Sequence, residues 1–213
     1  QDANRKIFGH GLFFTFEKTM INFRVASFGN REVKKIALTF DDGPNPYSTE
    51  QILEILGSFN VKATFFVLGK RCVEYPEILK KIDQKGHLVG NHTFSHSKGD
   101  FEKCDEKILH VINKNTKYVR PPFYDLTFCS KEHKYLKDKY VIMGDVDSKD
   151  YLQISSAEVL ANVLINTKNS SIVDLHDGSE TDAELKERAQ KTIDLLPKII
   201  QELHRQHFVL VRI

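Results

Sequence analysis

Two adjacent carboxylates, Asp41 and Asp42, stand at the end of a short apolar run, Ile36-Ala37-Leu38 with Phe40, and are followed by Gly43 and Pro44. The run suits a buried strand. A buried strand seldom ends in two carboxylates unless something neutralises or employs them. Neighbouring side chains at a strand end diverge, so the pair can hold two separate jobs. Two histidines four apart, His92 and His96, bring imidazole to the inventory. On one turn of helix, side chains at i and i+4 share a face and can share a metal. Two histidines with one carboxylate make a ligand set that leaves metal positions open for water and substrate, as catalytic sites do. Taken singly, each motif reads equally as a polar turn or a surface histidine pair.

The elements that must position these groups alternate. From Ile36 onward short apolar runs are followed by amphipathic stretches, the signature of an α/β chain with a parallel sheet. Strand Ile36–Phe40 leads to a helix near Thr49–Ser58, and strand Ala63–Leu68 follows. A helix opens near Pro76 and closes at Gly86, suiting proline in a first turn and glycine past the end. A strand near His87–Val89 runs into Asn-His-Thr-Phe-Ser-His; a helix near Glu102–Asn113 precedes a strand at Tyr118–Val119 and the turn Arg120-Pro121-Pro122-Phe123. Tyr140–Met143 reads as a strand, Ser155 and Glu158 as the capping box of a helix through Leu164, and Ser171–Leu175 as a strand ending in His176. A helix from about Ala183 to His204 is expected to kink or break near Pro197. His207–Ile213 reads as a closing strand. About seven strands result, and the polar clusters fall just after their C-terminal ends, where barrels and open α/β sheets carry their sites.

With these motifs in order, the chain resembles the polysaccharide deacetylases, carbohydrate esterase family four, from roughly Lys34 to Ile213. The resemblance rests on Thr39–Gly43 (TFDDG), His92–His96 (HTFSH), Arg120–Phe123 (RPPF), Asp147–Tyr151 (DSKDY) and Asp174-Leu175-His176. It implies a distorted (β/α) barrel of parallel strands, residues 34–213; the Phe-rich, charge-interrupted residues 1–33 read as an N-terminal segment packed over one end of it. The resemblance implies one zinc, cobalt or other divalent ion per chain, held by Asp42, His92 and His96. Asp41 would be the general base, His176 the general acid, Arg120 the group that holds Asp41, and Asp150 the group that tunes His176. The Phe123 amide would support the oxyanion, Tyr151 would line a groove for an N-acetylated glycan, and Leu175 counts with the substrate-binding residues. The implied reaction is removal of N-acetyl groups from chitin, chitooligosaccharides or a related polymer, by a secreted or wall-associated protein. The division of labour is chemically sound: a metal brings the pKa of its water to about 7, and an ionised Asp can take that water's proton. Histidine is the side chain best suited to protonate a leaving amine near neutrality.

Two positions depart from the pattern. An apolar residue usually lies two before the last histidine; here it is Asp174. Residues two apart on a strand face the same side, about 7 Å apart, so Asp174 and His176 should both face the site, with Val173 and Leu175 packed behind. A carboxylate there opposes a developing oxyanion and raises the His176 pKa, which implies weakened deacetylation, a changed substrate, or a wall or glycan-binding protein without useful catalysis. Tyr124 stands where the family commonly has glycine, and would narrow the groove or alter the turn that presents Phe123.

Bulk properties set the remaining limits. The 213 residues suffice for one sizeable core. A net charge of +2 gives no global field to attract nucleic acid or a membrane surface. No apolar run approaches bilayer-spanning length. The chain opens at Gln1 without a charged and apolar leader, which fits a processed secreted chain or a trimmed one. Three cysteines, Cys72, Cys104 and Cys129, allow at most one internal bridge and read best as buried fillers. Asn169-Ser170-Ser171 is a possible glycosylation sequon; Asn91-His92-Thr93 also matches but is expected to be engaged otherwise.

Overall fold

The computed structural model describes residues 14–15, 24–130, 132–178 and 182–213. In chain order these form β1 (Phe14–Thr15), β2 (Arg24–Ala26), β3 (Lys35–Asp41), α1 (Thr49–Ser58), β4 (Thr64–Val67), α2 (Gly69–Glu74), α3 (Pro76–Gln84), β5 (Leu88–Asn91), α4 (Phe101–Ile112) and β6 (Tyr118–Val119). Two 3₁₀ turns follow at Pro122–Tyr124 and Leu126–Phe128, then α5 (His133–Leu136), β7 (Tyr140–Ile142), β8 (Val146–Asp147), α6 (Ser156–Asn166), β9 (Ile172–His176), α7 (Asp182–Arg205) and β10 (Val209–Val211). The strands make one curled sheet in the order β1-β2-β7-β6-β5-β4-β3-β9-β8. β10 lies along the first half of β3 and β4 along the second. The β1–β2 pair is antiparallel and the other pairings are parallel. The path from β2 to β8 holds eight parallel strands, close to the predicted number; the distorted-barrel expectation holds.

Alternation along the central strands separates two layers. Leu38, Phe40, Val173 and Leu175 join the core beneath the helices. Ala37, Ile172, Phe66 and Ile142 face the inside of the curl. The second parity therefore carries Thr39 and Asp41 on β3, and Asp174 and His176 on β9, into the interior. Burying the helix-side residues drives closure of the sheet, and each fully buried Leu or Phe contributes about 1.5–3 kcal/mol.

Several expectations need correction. β2 pairs with β7 and puts Ala26 in the inner core, so residues 24–26 are part of the sheet and not a segment laid over it; residues 1–13 and 16–23 lie outside the described residues. The extra helix α2 precedes Pro76, and Gly69 opens it because a Cβ there would stand 2.6 Å from the Phe94 ring. α7 runs unbroken through Pro197. The three cysteines are buried free thiols, as expected of buried fillers. Leu175 is fully buried in the helix-side core, so it supports the strand from behind and is not a substrate-binding residue.

Candidate active site

The C-terminal ends of β3, β5, β6 and β9 converge on one polar hollow. β3 delivers Asp41 with its side chain inward, and the next residue, Asp42, takes a left-handed backbone at φ 74°. That twist sends the two carboxyls apart, as adjacent jobs require. β5 ends at Asn91, and His92 follows with its ring buried. The histidine pair is not on a helix. Thr93 at φ 74° and His96 at φ 60° fold the segment into a loop, a costly conformation for a β-branched threonine. Two polar side chains hold it there. Asn91 Oδ1 accepts from the Thr93 amide at 2.8 Å while its Nδ2 donates to the Phe101 carbonyl at 2.8 Å. Asp100 accepts the Phe94 and Ser95 amides at 2.9 and 3.0 Å.

The result is a compact ligand set. His92 Nε2 and His96 Nε2 lie 3.6 and 3.5 Å from Asp42 Oδ1. A tetrahedral ion with bonds of about 2.0–2.1 Å separates its ligand atoms by roughly 3.3 Å, so the set has the right span. Asp42 Oδ1 is buried without a hydrogen-bond partner among the described residues, an anomaly that a cation removes. His92 Nδ1 sits 2.8 Å from the Arg120 carbonyl. Its natural role is to donate there, which leaves the Nε2 lone pair directed at Asp42. Burial, before any other influence, pushes the His92 pKa down to about 3 and keeps the ring neutral, the state a metal ligand needs.

Beside this set lies a second one. Atoms of Asp41, Asp174 and His176 fall within 4.8 Å of one another. Arg120, fully buried, donates from Nη1 to Asp41 Oδ1 at 2.8 Å, Asp174 Oδ1 at 2.9 Å and Thr39 Oγ1 at 2.8 Å. Its guanidinium stacks 4.1 Å from the Phe66 ring centroid. Asp41 joins the two sets, its Oδ2 standing 3.7 Å from His92 Nε2. Burial raises the Asp41 carboxyl well above the usual range, against the pull of Arg120. At the far wall His176 Nδ1 meets Asp150 Oδ1 at 2.7 Å, and the His176 amide donates to Asp150 Oδ2 at 2.8 Å. Thr192 adds a further bond to Asp150 at 2.6 Å. Burial disfavours the charge on His176, but Asp150 foremost, then Asp174 and Asp42, outweigh it and hold the imidazolium well above its ordinary pKa. Burial also opposes the Asp150 charge, and His176 prevails in holding that carboxyl below its usual range.

Aromatic rings frame the hollow. Phe123, 73% exposed and at φ 57°, sets its ring 4.6 Å from His96. Tyr151 lies edge-on to His176 at 5.2 Å and donates its hydroxyl to Asp147 at 3.1 Å. Tyr124 turns inward, its ring over Arg120 at 5.6 Å.

Three supporting residues carried no recognisable sequence signal as site residues: Asn91, Asp100 and Asp177. Asp177 is fully buried and accepts the Gly43 amide at 3.2 Å and the Thr49 hydroxyl at 2.6 Å, tying the Asp41-Asp42 turn to α1. Burial moves its carboxyl up to about 7. A Cβ on Gly43 would stand 2.2 Å from this carboxylate, which is why glycine follows the acid pair. Asn91, as expected, is engaged internally. Asn169 is engaged too, donating to the Arg31 carbonyl at 3.0 Å.

A curled parallel sheet with a His-His-Asp set beside an Arg-held carboxylate and an Asp-held histidine defines the class, a hydrolase scaffold with groups that could hold a metal ion. Comparison narrows it. Residues 28–134 match the family profile described as polysaccharide deacetylase. The chain is 33% identical over 193 residues to a peptidoglycan-N-acetylglucosamine deacetylase of Bacillus cereus, covering 84% of this chain and 86% of that protein. A further Bacillus cereus protein with that name is 32% identical over 179 residues; the match takes in 79% of this chain and 63% of that protein's length. A chitooligosaccharide deacetylase of Rhizobium leguminosarum bv. trifolii is 31% identical, with 83% of this chain and 89% of that protein covered. Among solved structures, a peptidoglycan N-acetylglucosamine deacetylase bound to a substituted N-hydroxybenzamide superposes with TM-score 0.80 at 29% identity, over 89% of this chain and 90% of that one. A mutant of a family-four pseudoenzyme with restored activity superposes with TM-score 0.77 at 25% identity, over 89% and 69%. The chain belongs to the polysaccharide deacetylases, carbohydrate esterase family four.

Proposed function

We propose that the protein is a metal-dependent hydrolase that removes N-acetyl groups from an N-acetylated glycan of the peptidoglycan or chitin type, outside the cytoplasm where such polymers lie. One observation carries this reading: Asp41 bridges the two sets, with one oxygen on Arg120 and the other 3.7 Å from His92 Nε2. A divalent ion held by Asp42, His92 and His96, zinc by the chemistry of the donors, would supply Lewis acidity and lower the pKa of water. Asp41 takes the proton of the attacking water, and its raised proton affinity brings it nearer the working pH of a general base. Arg120 fixes its orientation through a charge-assisted bond. His176, protonated and held by Asp150, gives a proton to the departing amine. Phe123 and Tyr151 form the walls against which sugar rings pack, and the Phe123 amide aids the acyl oxygen. The relatives' names support the glycan class, since they include peptidoglycan and chitooligosaccharide deacetylases.

A second reading rests on Asp174, a buried carboxylate competing with Asp41 for the single Arg120 charge. It describes a glycan-binding protein that keeps the scaffold and has lost useful turnover. Acetate release from chitin oligomers, peptidoglycan and acetylated xylan separates the two. The enzyme reading expects release from at least one N-acetylated glycan, reduced about 100- to 10,000-fold in His176→Ala. Glycan binding with no release from any substrate, zinc or cobalt present, supports the binding protein and sinks the enzyme.

A further inference from the structure

Asp174 lies on the same face of β9 as His176, in register with Thr39 on one side and Asp147 on the other. It is 4% exposed, and its carboxyl is grouped within 4.8 Å of Asp41 and His176 atoms. Any carbonyl carbon placed between a base at Asp41 and an acid at His176 therefore has Asp174 as a neighbour. The hydrogen bonding around it is incomplete. Among the described residues, bonds of ordinary geometry reach only its Oδ1, from Arg120 Nη1. Among the described residues Arg120 Nη2 and the Tyr124 hydroxyl are both buried without a partner of ordinary geometry, and that hydroxyl is within loose hydrogen-bonding reach of the Asp174 carboxyl.

The Tyr124 hydroxyl is held in place by its surroundings. A Cβ on Gly144 would sit 2.6 Å from it and 3.3 Å from the Ile172 carbonyl, so the bare glycine leaves the slot into which the ring end fits. The ring itself is stacked on Arg120, which is stacked on Phe66. Polar groups with incomplete hydrogen bonding thus cluster about Arg120, which also holds Asp41. Buried polar groups in native proteins find partners, and leaving them against a methyl group costs binding that a donor-bearing ligand recovers.

We propose, resting on the N-deacylase reading, that Asp174 and Tyr124 make the acyl end of the site selective for an acyl group carrying a hydrogen-bond donor on its α carbon, with hydroxyacetyl preferred over acetyl. The acyl hydroxyl donates to Asp174 and accepts from Tyr124 or Arg120 Nη2. The reaction is unchanged in kind. The water oxygen bonds to the acyl carbon, the C–N bond breaks with its electron pair going to nitrogen, and one water proton ends on that nitrogen. The products are hydroxyacetate and the free amino sugar.

The test uses two chitooligosaccharides that differ only in N-acetyl against N-hydroxyacetyl, assayed with the zinc-loaded protein. For wild type, kcat/KM should favour hydroxyacetyl by about 10- to 100-fold, the worth of one hydrogen bond to a charged group. Asp174→Leu should bring the ratio to one or below. Tyr124→Phe, which keeps the ring and loses only the hydroxyl, should narrow it and guards against a folding defect in the first variant. Calorimetric binding of hydroxyacetate and acetate to the same proteins gives a readout independent of turnover, and comparing wild type with Asp174→Leu subtracts the metal's own preference. A wild-type ratio at or below one, or a ratio unmoved by both substitutions, overturns the proposal. Absent turnover with hydroxyacetate still bound preferentially by wild type alone would sink the deacylase reading and leave the pocket's selectivity standing. Absent turnover with no binding preference would sink both.

Discussion

At the scale of single residues, His176 is where geometry and proton affinity speak most directly to chemistry. Its two bonds to Asp150 use both carboxyl oxygens, so the ring is oriented and its Nε2 left to face the hollow. Asp150 raises the imidazolium well above the ordinary value of 6.5. A group whose folded pKa is raised contributes stability that is complete below the unfolded value and is lost as pH climbs through the folded one. For catalysis the sign is the same: the acid stays charged into the alkaline range. Asp150→Asn removes the main raising charge, so the alkaline limb of the kcat profile should move to lower pH, while the acid limb stays. A limb that does not move would show that Asp150 only positions the ring. These residues were legible in the sequence because polar groups stood at the ends of apolar runs. Asp177 and Asp100 were not: Asp177 takes the Gly43 amide and the Thr49 hydroxyl far away in sequence, Asp100 the Phe94 and Ser95 amides, and nothing in residue type or spacing announces such bonds. Leu175 was misread as substrate-binding although strand alternation places it behind the sheet, and its burial settles the matter.

At the scale of elements, strands aim the groups and loop clamps set the last few ångströms. Period-two alternation on β9 was readable, and it put Asp174 and His176 on one face as found; the structure adds Asp41 from β3 to that face. The His92–His96 spacing suggested a helical turn, but the segment is a strained loop. Spacing alone cannot tell a helical turn from a loop that brings residues four apart to the same point. The strain at Thr93 and His96 is offset by Asn91 and by Asp100 just ahead of α4. Groups that orient metal ligands from behind are typically worth 10- to 100-fold in metal affinity. Asp100→Ala should therefore weaken zinc binding about tenfold or more by calorimetry, while far-ultraviolet circular dichroism stays that of the folded chain. Unchanged affinity would mean that the loop holds its shape without the clamp.

At the scale of the molecule, the open barrel is drawn together on one side by the segment after β2. Arg31 reaches Asp145 at 2.6 Å and the Asn169 carbonyl at 2.7 Å, and Phe28 bridges Ser171. This stitching ties the segment after β2 to the residues that lead into β8 and β9. The barrel class was legible from alternating strands and helices; the place of residues 24–26 in the sheet was not, because three residues are too few to show a period. The proposed chemistry has meaning only if one cation completes the Asp42, His92 and His96 set beside Asp41. The direct test is a titration of zinc into metal-stripped protein while acyl release from an N-acylated chitooligosaccharide is followed. Release should rise from background to a plateau at one zinc per chain, and Asp42→Ala should stay at background throughout. Release that is undiminished in the stripped protein, or that survives Asp42→Ala at full strength, would contradict the account.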